Sequence, residues 1–461
     1  MNWKGKKVLV IGMGHSGLAA ARVLHEEGAQ ITLTDIKRKE ELVQAIQSIE
    51  DLPVRLELGA YPEVNMENTD VVIISPGVPL SIAPVQQARA SRIPVWSEIE
   101  AAYRFLEGPV VAITGTNGKT TTTALVGEMF KDAGRPVLVA GNIGIPLIRE
   151  ARSTNSDTVI VVEASSFQLE TIDRFRPRVA VILNITPDHL DRHLTLEKYI
   201  QAKARIFENQ SSSDFTILNY DDERVRSLAS KTPGRVIFFS RQHMLEPGVY
   251  VQDGNVVVAI EGKKEVVCPA EEINIKGSHN LENALAGVAA GSAMGLAVDS
   301  IARTLRTFPG VAHRLEFVAE FGGVKYINDS KGTNPDAAIK ALEAYAEPVV
   351  LIAGGKNKGS DFSSLAIKIK EKVRALVLVG EAAGNIQEAV EKVGFKNFYR
   401  VDTFEEAVKT AASLALPGDV VLLSPACASW DMFRSYEERG ERFKSLVMQL
   451  KAGMDEGRKP D

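Results

Sequence analysis

Short β-branched runs alternate with helical stretches along almost the whole chain: Val8–Ile11, Ile31–Thr34, Val71–Ile74, Val110–Ile113, Val159–Val162, Val179–Leu183, Val349–Ile352, Leu376–Val379 and Val420–Leu423. A helix between two strands forces a crossover connection, so neighbouring strands come out parallel, and runs that are apolar at every position need cover on both faces. The chain is therefore predicted to be α/β with mostly parallel sheets. Val249–Ile260 departs from the rule, because Asp253-Gly254 joins two alternating runs and signals an antiparallel hairpin. That hairpin is expected as a small antiparallel element of a larger domain.

At 461 residues the chain exceeds what one core usually spans. Turn signals at Ile93-Pro94-Val95 and Thr307-Phe308-Pro309-Gly310 divide it into three expected domains, 1–95, 96–307 and 308–461. The formal net charge of −5 argues against a broad surface for nucleic acid or anionic lipid, so any anionic substrate must be held by local charges. Cys268 and Cys427 lack metal-type spacing and cannot build a disulfide framework; both are expected to be buried small residues in a reducing, cytoplasmic setting. The run Val8–Ile11 is too short for a signal peptide and enters a glycine motif. Ala284–Val298 is small and apolar throughout but shorter than the ~20 residues a membrane span needs, and is expected to be a tightly packed interior helix. From Gly453 the tail is polar and expected to fray.

Val110–Ile113 breaks into Thr114-Gly115-Thr116-Asn117-Gly118-Lys119-Thr120-Thr121-Thr122, a glycine loop opening a helical pattern. Such loops let backbone N–H groups approach phosphate oxygens at a positive helix N-terminus, while Lys reaches the β/γ-phosphates and a hydroxyl ligates Mg²⁺. Gly115, Thr116, Asn117, Gly118, Lys119, Thr120 and Thr121 are thus the candidate triphosphate cradle. Its spacing is short: only Thr116 and Asn117 separate Gly115 from Gly118, where the ordinary pattern has four residues before its Gly-Lys pair. A plain strand-to-helix turn with a surface lysine is the competing reading.

Gly12-Met13-Gly14-His15-Ser16-Gly17 follows a strand, opens a helix and precedes Asp35, the spacing of a dinucleotide fingerprint. A nicotinamide-dependent dehydrogenase would use it. A UDP-type ligand exploits the same physics, and a dehydrogenase needs no triphosphate site. Glu163 puts a carboxylate at the carboxyl end of a strand beside the phosphate loop, suited to Mg²⁺; the alternative is a helix-start Glu favoured by the dipole. In the strand-end loop Asn184–His193, His189 and His193 stand four apart. Without the metalloprotease Glu or a third ligand, contact with substrate or Mg²⁺ is preferred over zinc. Lys203 shares a helical face with Tyr199, Ile200, Ile206 and Phe207, where a lysine either snorkels outward or is used chemically. His313–Glu316, Tyr326–Asn334 and Ser424–Asp431 mix charge with small residues and together suggest a second anion-binding wall.

In this order the motifs resemble the Mur ligases of bacterial peptidoglycan synthesis, from Gly12 to about residue 445, and the shortened loop is that family's form of the ATP cradle. The resemblance implies a UDP-binding Rossmann-like domain, a central P-loop ATPase domain and a C-terminal Rossmann-like domain that brings the amino acid. It implies an ATP-dependent amide ligase working through an acyl phosphate, with two Mg²⁺ sites. Lys119, His189 and Lys203 would form the catalytic group, with Thr120, Glu163, His189 and Lys203 as metal residues. Lys203, in its Ala-Lys-x-Arg context, would be carbamoylated and so become a carboxylate-like ligand. Asn283 would contact adenine, and Arg314 and Asp329 would hold ATP. Ser16, Asp35, Lys37, Ser75, Gly77 and Asn142 match positions for the UDP-sugar peptide; Lys331, Thr333, Lys358, Ser429 and Tyr436 match those for the amino acid.

The implied substrates are UDP-N-acetylmuramoyl-L-alanine and D-glutamate, because the Asp-Asn-Pro-Arg box of diamino-acid-adding relatives is absent and the first domain is short. A monomer acting on small molecules, with no nucleic acid and no membrane insertion, is implied. Folylpolyglutamate synthetase would share the ATP cradle but not the N-terminal nucleotide motif. A non-catalytic nucleotide-binding regulator would bind ATP without substrate-dependent ADP release.

Overall fold

The computed structural model describes residues 2–142 and 144–456. All nine apolar runs are strands, and they form the centres of three sheets. The first contains β1 (Lys7–Ile11), β2 (Gln30–Asp35), β3 (Arg55–Leu58), β4 (Val71–Ile74) and β5 (Val95–Ser97) in the order β3-β2-β1-β4-β5, every pair parallel. The strand order reverses between β1 and β4, which opens a crevice at their carboxyl ends.

The second sheet holds β6 (Val110–Thr114), β7 (Val137–Gly141), β8 (Val159–Glu163), β9 (Val179–Ile182), β10 (Phe215–Asn219), β11 (Arg235–Ser240), β12 (Gly248–Gln252), β13 (Asn255–Ile260) and β14 (Lys263–Pro269). Its order is β14-β13-β12-β11-β10-β9-β6-β8-β7. The expected hairpin is β12–β13: Asp253 and Gly254 take φ of +49° and +77°, the two left-handed positions a tight two-residue turn needs. Parallel pairing of β11 with β12 grafts the hairpin onto the sheet, and β14 continues it antiparallel.

The third sheet is β15 (Glu316–Phe321), β16 (Val324–Asn328), β17 (Val349–Gly354), β18 (Val373–Val379), β19 (Phe398–Arg400) and β20 (Val420–Leu423), ordered β15-β16-β20-β17-β18-β19. Only β15–β16 is antiparallel. One face is covered by Ala338, Leu342, Leu365 and Ile386, the other by Phe404, Val408 and Phe443.

By packing, the chain forms two compact units: Met1–Ile185 with Thr195–Glu272 and Ala284–Arg306, and Thr186–Leu194 with Ile273–Asn283 and Thr307–Asp461. Within the first unit the first two sheets share one apolar core, in which Val10, Leu24 and Trp96 are continuous with Ala112, Leu147 and Val162. The helix Glu98–Tyr103 stands at this junction. Glu100 Oε2 accepts the backbone N–H groups of Asp173, Arg174 and Phe175 at 2.8–3.0 Å, and its other oxygen pairs with Arg104.

Two expectations change in extent. The small apolar stretch belongs to the helix Ser278–Ala293 and does not reach Val298. Gly295, at φ +79°, ends it, with the Leu296 N–H returning to the Gly291 carbonyl at 2.9 Å and the Gly295 N–H to Ser292 at 3.0 Å. The polar tail does not fray at Gly453, because the helix Tyr436–Glu456 carries it on; the rest of that reading lies outside the described residues. Cys268 and Cys427 are free and buried, as expected, and burial pushes the Cys427 thiol up to about 12. Among the described residues no helix is long and apolar enough to cross a membrane.

Candidate active site

In the first sheet the glycine motif lies at the reversal between β1 and β4. A Cβ on Gly12 would sit 2.8 Å from the Ser75 Cβ, and one on Gly17 would collide with the Gly12 carbonyl, so the tight approach of loop, helix and β4 depends on both glycines. Ser75 Oγ donates to the Gly12 carbonyl at 3.0 Å. Asp35 accepts the Met13 N–H at 2.9 Å and the Lys37 N–H at 3.0 Å, which fixes the loop to the end of β2. Ser16, Gly77 and Lys37 surround this crevice in sequence, with Ser16 in the first turn of the helix His15–Glu26 and Gly77 in the turn after β4.

The phosphate loop leaves β6, a wholly buried strand flanked on either side by β8 and β9. Gly118 caps the helix Lys119–Asp132 at φ +84°, a conformation glycine adopts without a Cβ clash. The Lys119 ammonium donates to the carbonyls of Gly115 and Thr116 at 2.9 and 2.8 Å. Lys119 is therefore no surface lysine on an ordinary turn; it spans the loop. Thr120 and Thr121 are buried in the first helical turn.

Glu163 closes β8 and is 1% exposed. It is not a helix-start residue, since the next helix begins at Ser166 behind a Ser165–Gln168 capping box. Its Oε1 accepts from the Asn142 amide at 2.9 Å, while Oε2 is buried with no hydrogen-bond partner. A buried carboxylate oxygen without a donor is a strong acceptor left for a cation. Lys203 does not snorkel: it is 1% exposed, donates to the Gly115 carbonyl at 2.7 Å and lies 4.5 Å from the centre of the Tyr199 ring. The Tyr199 hydroxyl is 3.3 Å from Thr116 Oγ1. Lys119, Thr120, Glu163 and Lys203, read from three separate stretches of sequence, thus belong to one unit around one loop.

In the second unit Asp188 organises the segment before the short helix Leu190–His193. It accepts the His189 N–H at 2.9 Å and the Asn334 amide at 3.3 Å, and its carboxylate stands 3.7 Å from the Lys358 ammonium. His189 itself holds a positive φ of +54° at the helix N-cap. Asn283 is buried and donates to Asn280 at 3.1 Å. Asp329 is completely buried at the end of β16; burial raises its carboxyl pKa, opposed by the charge of Arg314, whose guanidinium is 3.4 Å away. Ser424 donates to its other oxygen at 2.8 Å.

Lys331 and Thr333 follow β16, Ser429 follows β20 and Lys358 follows β17, so three adjacent strand ends carry them. Tyr436 opens the C-terminal helix with its ring 4.9 Å from the Lys331 ammonium. Ser429 Oγ is buried without a partner. Arg439, absent from the sequence reading, is 1% exposed and ties these loops together, donating to the carbonyls of Ser330 at 2.7 Å and Cys427 at 3.2 Å. Burial lowers its pKa to about 10. Nothing in its helical sequence context distinguishes it from a solvated arginine.

Three domain families match in order: the Mur ligase MurD-like N-terminal domain over residues 6–97, the Mur ligase middle domain over 113–291 and the Mur ligase glutamate ligase domain over 313–427. The UDP-N-acetylmuramoylalanine--D-glutamate ligase of Pelotomaculum thermopropionicum is 57% identical over 448 residues, 97% of this chain and 98% of that one. The protein of the same name from a Thermoanaerobacter species is 49% identical over 98% of this chain and all of its own length. Among solved structures, the UDP-N-acetylmuramate-alanine ligase of Thermotoga maritima shares the fold with a TM-score of 0.61 at 20% identity, covering 97% of this chain and 99% of its own. A MurF ligase from the same organism, solved in complex with ADP, gives 0.58 at 17%, covering 91% of this chain and 96% of its own. With its fold, its loop and its full-length relatives in agreement, the chain belongs to the Mur ligase family and is an ATP-dependent ligase of peptidoglycan synthesis.

Proposed function

We propose that the chain joins D-glutamate to UDP-N-acetylmuramoyl-L-alanine as a cytoplasmic monomer, with functional domains at 1–95, 96–307 and 308–461. The observation that carries this reading is the phosphate loop on β6, braced by Lys203 and flanked by the orphaned Glu163 carboxylate oxygen. The alanyl carboxylate oxygen attacks the γ-phosphorus of ATP, the bond to the bridging oxygen breaks, and ADP leaves an acyl phosphate. The uncharged amine of D-glutamate then attacks the acyl carbon; the C–N bond forms, the C–O bond to phosphate breaks, and the amine loses a proton. Activation is needed because oxide is a poor leaving group.

Lys119 and the loop from Gly115 to Thr121 hold the phosphates, so catalysis is mostly positioning and charge stabilisation. Asn283 meets adenine, and Arg314 with Asp329 holds the nucleotide. Ser16, Asp35, Lys37, Ser75, Gly77 and Asn142 receive the UDP-sugar peptide. Lys331, Thr333, Lys358, Ser429 and Tyr436 receive D-glutamate, the cationic side chains facing its two carboxylates. Among the described residues no three His, Cys, Asp or Glu side chains converge on a metal point. Mg²⁺ keeps few protein ligands and shares phosphate oxygens. Thr120, Glu163, His189 and a carbamoylated Lys203 would hold two such ions, which neutralise charge on the phosphates.

The test is an ADP-release assay across amino acids. ADP should appear only when UDP-N-acetylmuramoyl-L-alanine and D-glutamate are both present. Coupling to L-lysine or L-alanine in place of D-glutamate would overturn the assignment.

A further inference from the structure

Asn184 opens the strand-end loop Asn184–His193 and makes three hydrogen bonds to the glycine loop. Its side-chain oxygen accepts the Asn117 N–H at 2.9 Å, and its side-chain nitrogen donates to the Asn117 carbonyl at 3.1 Å. Its own carbonyl accepts the Thr116 N–H at 2.8 Å. The amide of Asn184 thus presents to Asn117 the same donor and acceptor pair that a neighbouring strand would. The geometry follows from register. Thr114 on β6 is opposite Ile182 on β9, so Thr116 and Asn184 are each two residues beyond the last rung of the ladder.

A Cβ on Gly115 would lie 3.0 Å from the Leu183 Cβ and 3.4 Å from the Asn184 nitrogen, so the loop lies directly against this strand end. Asn184 is 8% exposed, and its two side-chain bonds to Asn117 are buried. Only an amide has both a donor and an acceptor at one planar group of this length; a carboxylate of identical shape would face the Asn117 carbonyl with a second acceptor. The loop has two residues fewer between its first glycine and its Gly-Lys pair than the ordinary cradle. Asn184 supplies from outside part of the backbone support that a longer loop would draw from its own residues.

We propose that Asn184 is a positioning residue for ATP: it acts through Asn117 and sets the phosphate loop in its binding conformation before nucleotide arrives. This rests on reading residues 115–121 as the phosphate cradle, and the experiment separates the two. Nucleotide affinity is measured by titrating ADP into the purified full chain and into its Asn184→Ala, Asn184→Asp and Lys119→Ala variants, with thermal unfolding of each and steady-state KM values for ATP and D-glutamate.

Losing one or two buried hydrogen bonds to the loop should weaken ADP binding and raise KM for ATP by about tenfold or more in both Asn184 variants. KM for D-glutamate should stay within about twofold in the same variants. Asn184→Asp should bind more weakly than Asn184→Ala, because it sets a carboxylate oxygen against the Asn117 carbonyl where Ala only removes the two side-chain bonds. A residue that merely held the fold would lower the unfolding temperature and leave the affinity of the folded protein unchanged; that result overturns the proposal. If Lys119→Ala turns over ATP like the unaltered chain, the cradle reading itself fails, whatever the Asn184 variants do.

Discussion

Burial of Lys203 against the Tyr199 ring means that any function of its nitrogen is exercised without bulk water. If its working form is a carbamate, the group that matters is an anion, and a small anion can replace it. Lys203→Ala should be inactive, and formate or acetate should restore part of the turnover in an ADP-release assay. Full activity of Lys203→Arg would rule the carbamate out, since a guanidinium cannot become one. Glu98 is another residue whose charge is set by the fold. Its carboxyl is wholly buried, accepts the Ile148 N–H at 2.6 Å through one oxygen, and has its second oxygen buried without a partner. Burial pushes its pKa from 4.5 to about 7, opposed by the Ile148 N–H. Between those values the folded chain therefore binds more protons than the unfolded one. Its contribution to stability is full below pH 4.5 and is lost as pH rises through about 7, a change on the order of 3 kcal/mol. Urea unfolding at pH 5, 6.5 and 8 should show Glu98→Gln gaining on the unaltered chain as pH rises. Parallel profiles would show that Glu98 is ionised throughout.

Among the elements, the six-residue helix Glu98–Tyr103 stands out because an isolated helix of that length has no stability of its own. It persists because Glu100 accepts three consecutive backbone N–H groups from the turn before β9 and pairs with Arg104 at 2.7 Å. Glu100→Ala should cost about 3–5 kcal/mol, the penalty for leaving such a buried charge network unpaired, measured as a fall in unfolding free energy in urea. A loss below about 1 kcal/mol would mean the turn holds itself. The same helix shows where sequence reading stopped. Its two acids look like an ordinary solvated face, and only the fold brings residues 148 and 173–175 to them. Strands such as Val71–Ile74 and Val349–Ile352 were legible because they are apolar at every position, which only a doubly covered strand requires, whereas the buried strand β10 mixes Thr216 and Asn219 into its run. The edge strands β3 and β19 were not, because exposed Arg55, Tyr399 and Arg400 interrupt any pattern.

For the molecule as a whole, the glycine motifs at Gly115–Thr121 and Gly12–Gly17 were legible because each lies in consecutive residues. Support for those motifs was not. Asn184 meets Asn117 across 67 residues, and Arg439 reaches Ser330 across 109; both contacts depend on strand order and register. Asp188 falls between the two cases: it sits beside His189 in the loop Asn184–His193, but its partners Asn334 and Lys358 come from two other strand-end loops. A motif identifies the atoms that meet the ligand, whereas the atoms that hold the motif are dictated by long-range pairing.

The continuous core beneath the first two sheets bears on how such a chain can be recombined. Trp3 stacks on Phe105 and meets Trp96 edge-on, and Arg152 is paired with Glu26 and Glu27, so residues from either side of the 95–110 junction complete one another. A chimera that takes residues 1–95 from a distant relative would juxtapose two half-cores never selected to interdigitate. The first two sheets are therefore coupled through their core: residues 1–95 cannot be exchanged as a whole domain without also redesigning the seam beneath the second sheet.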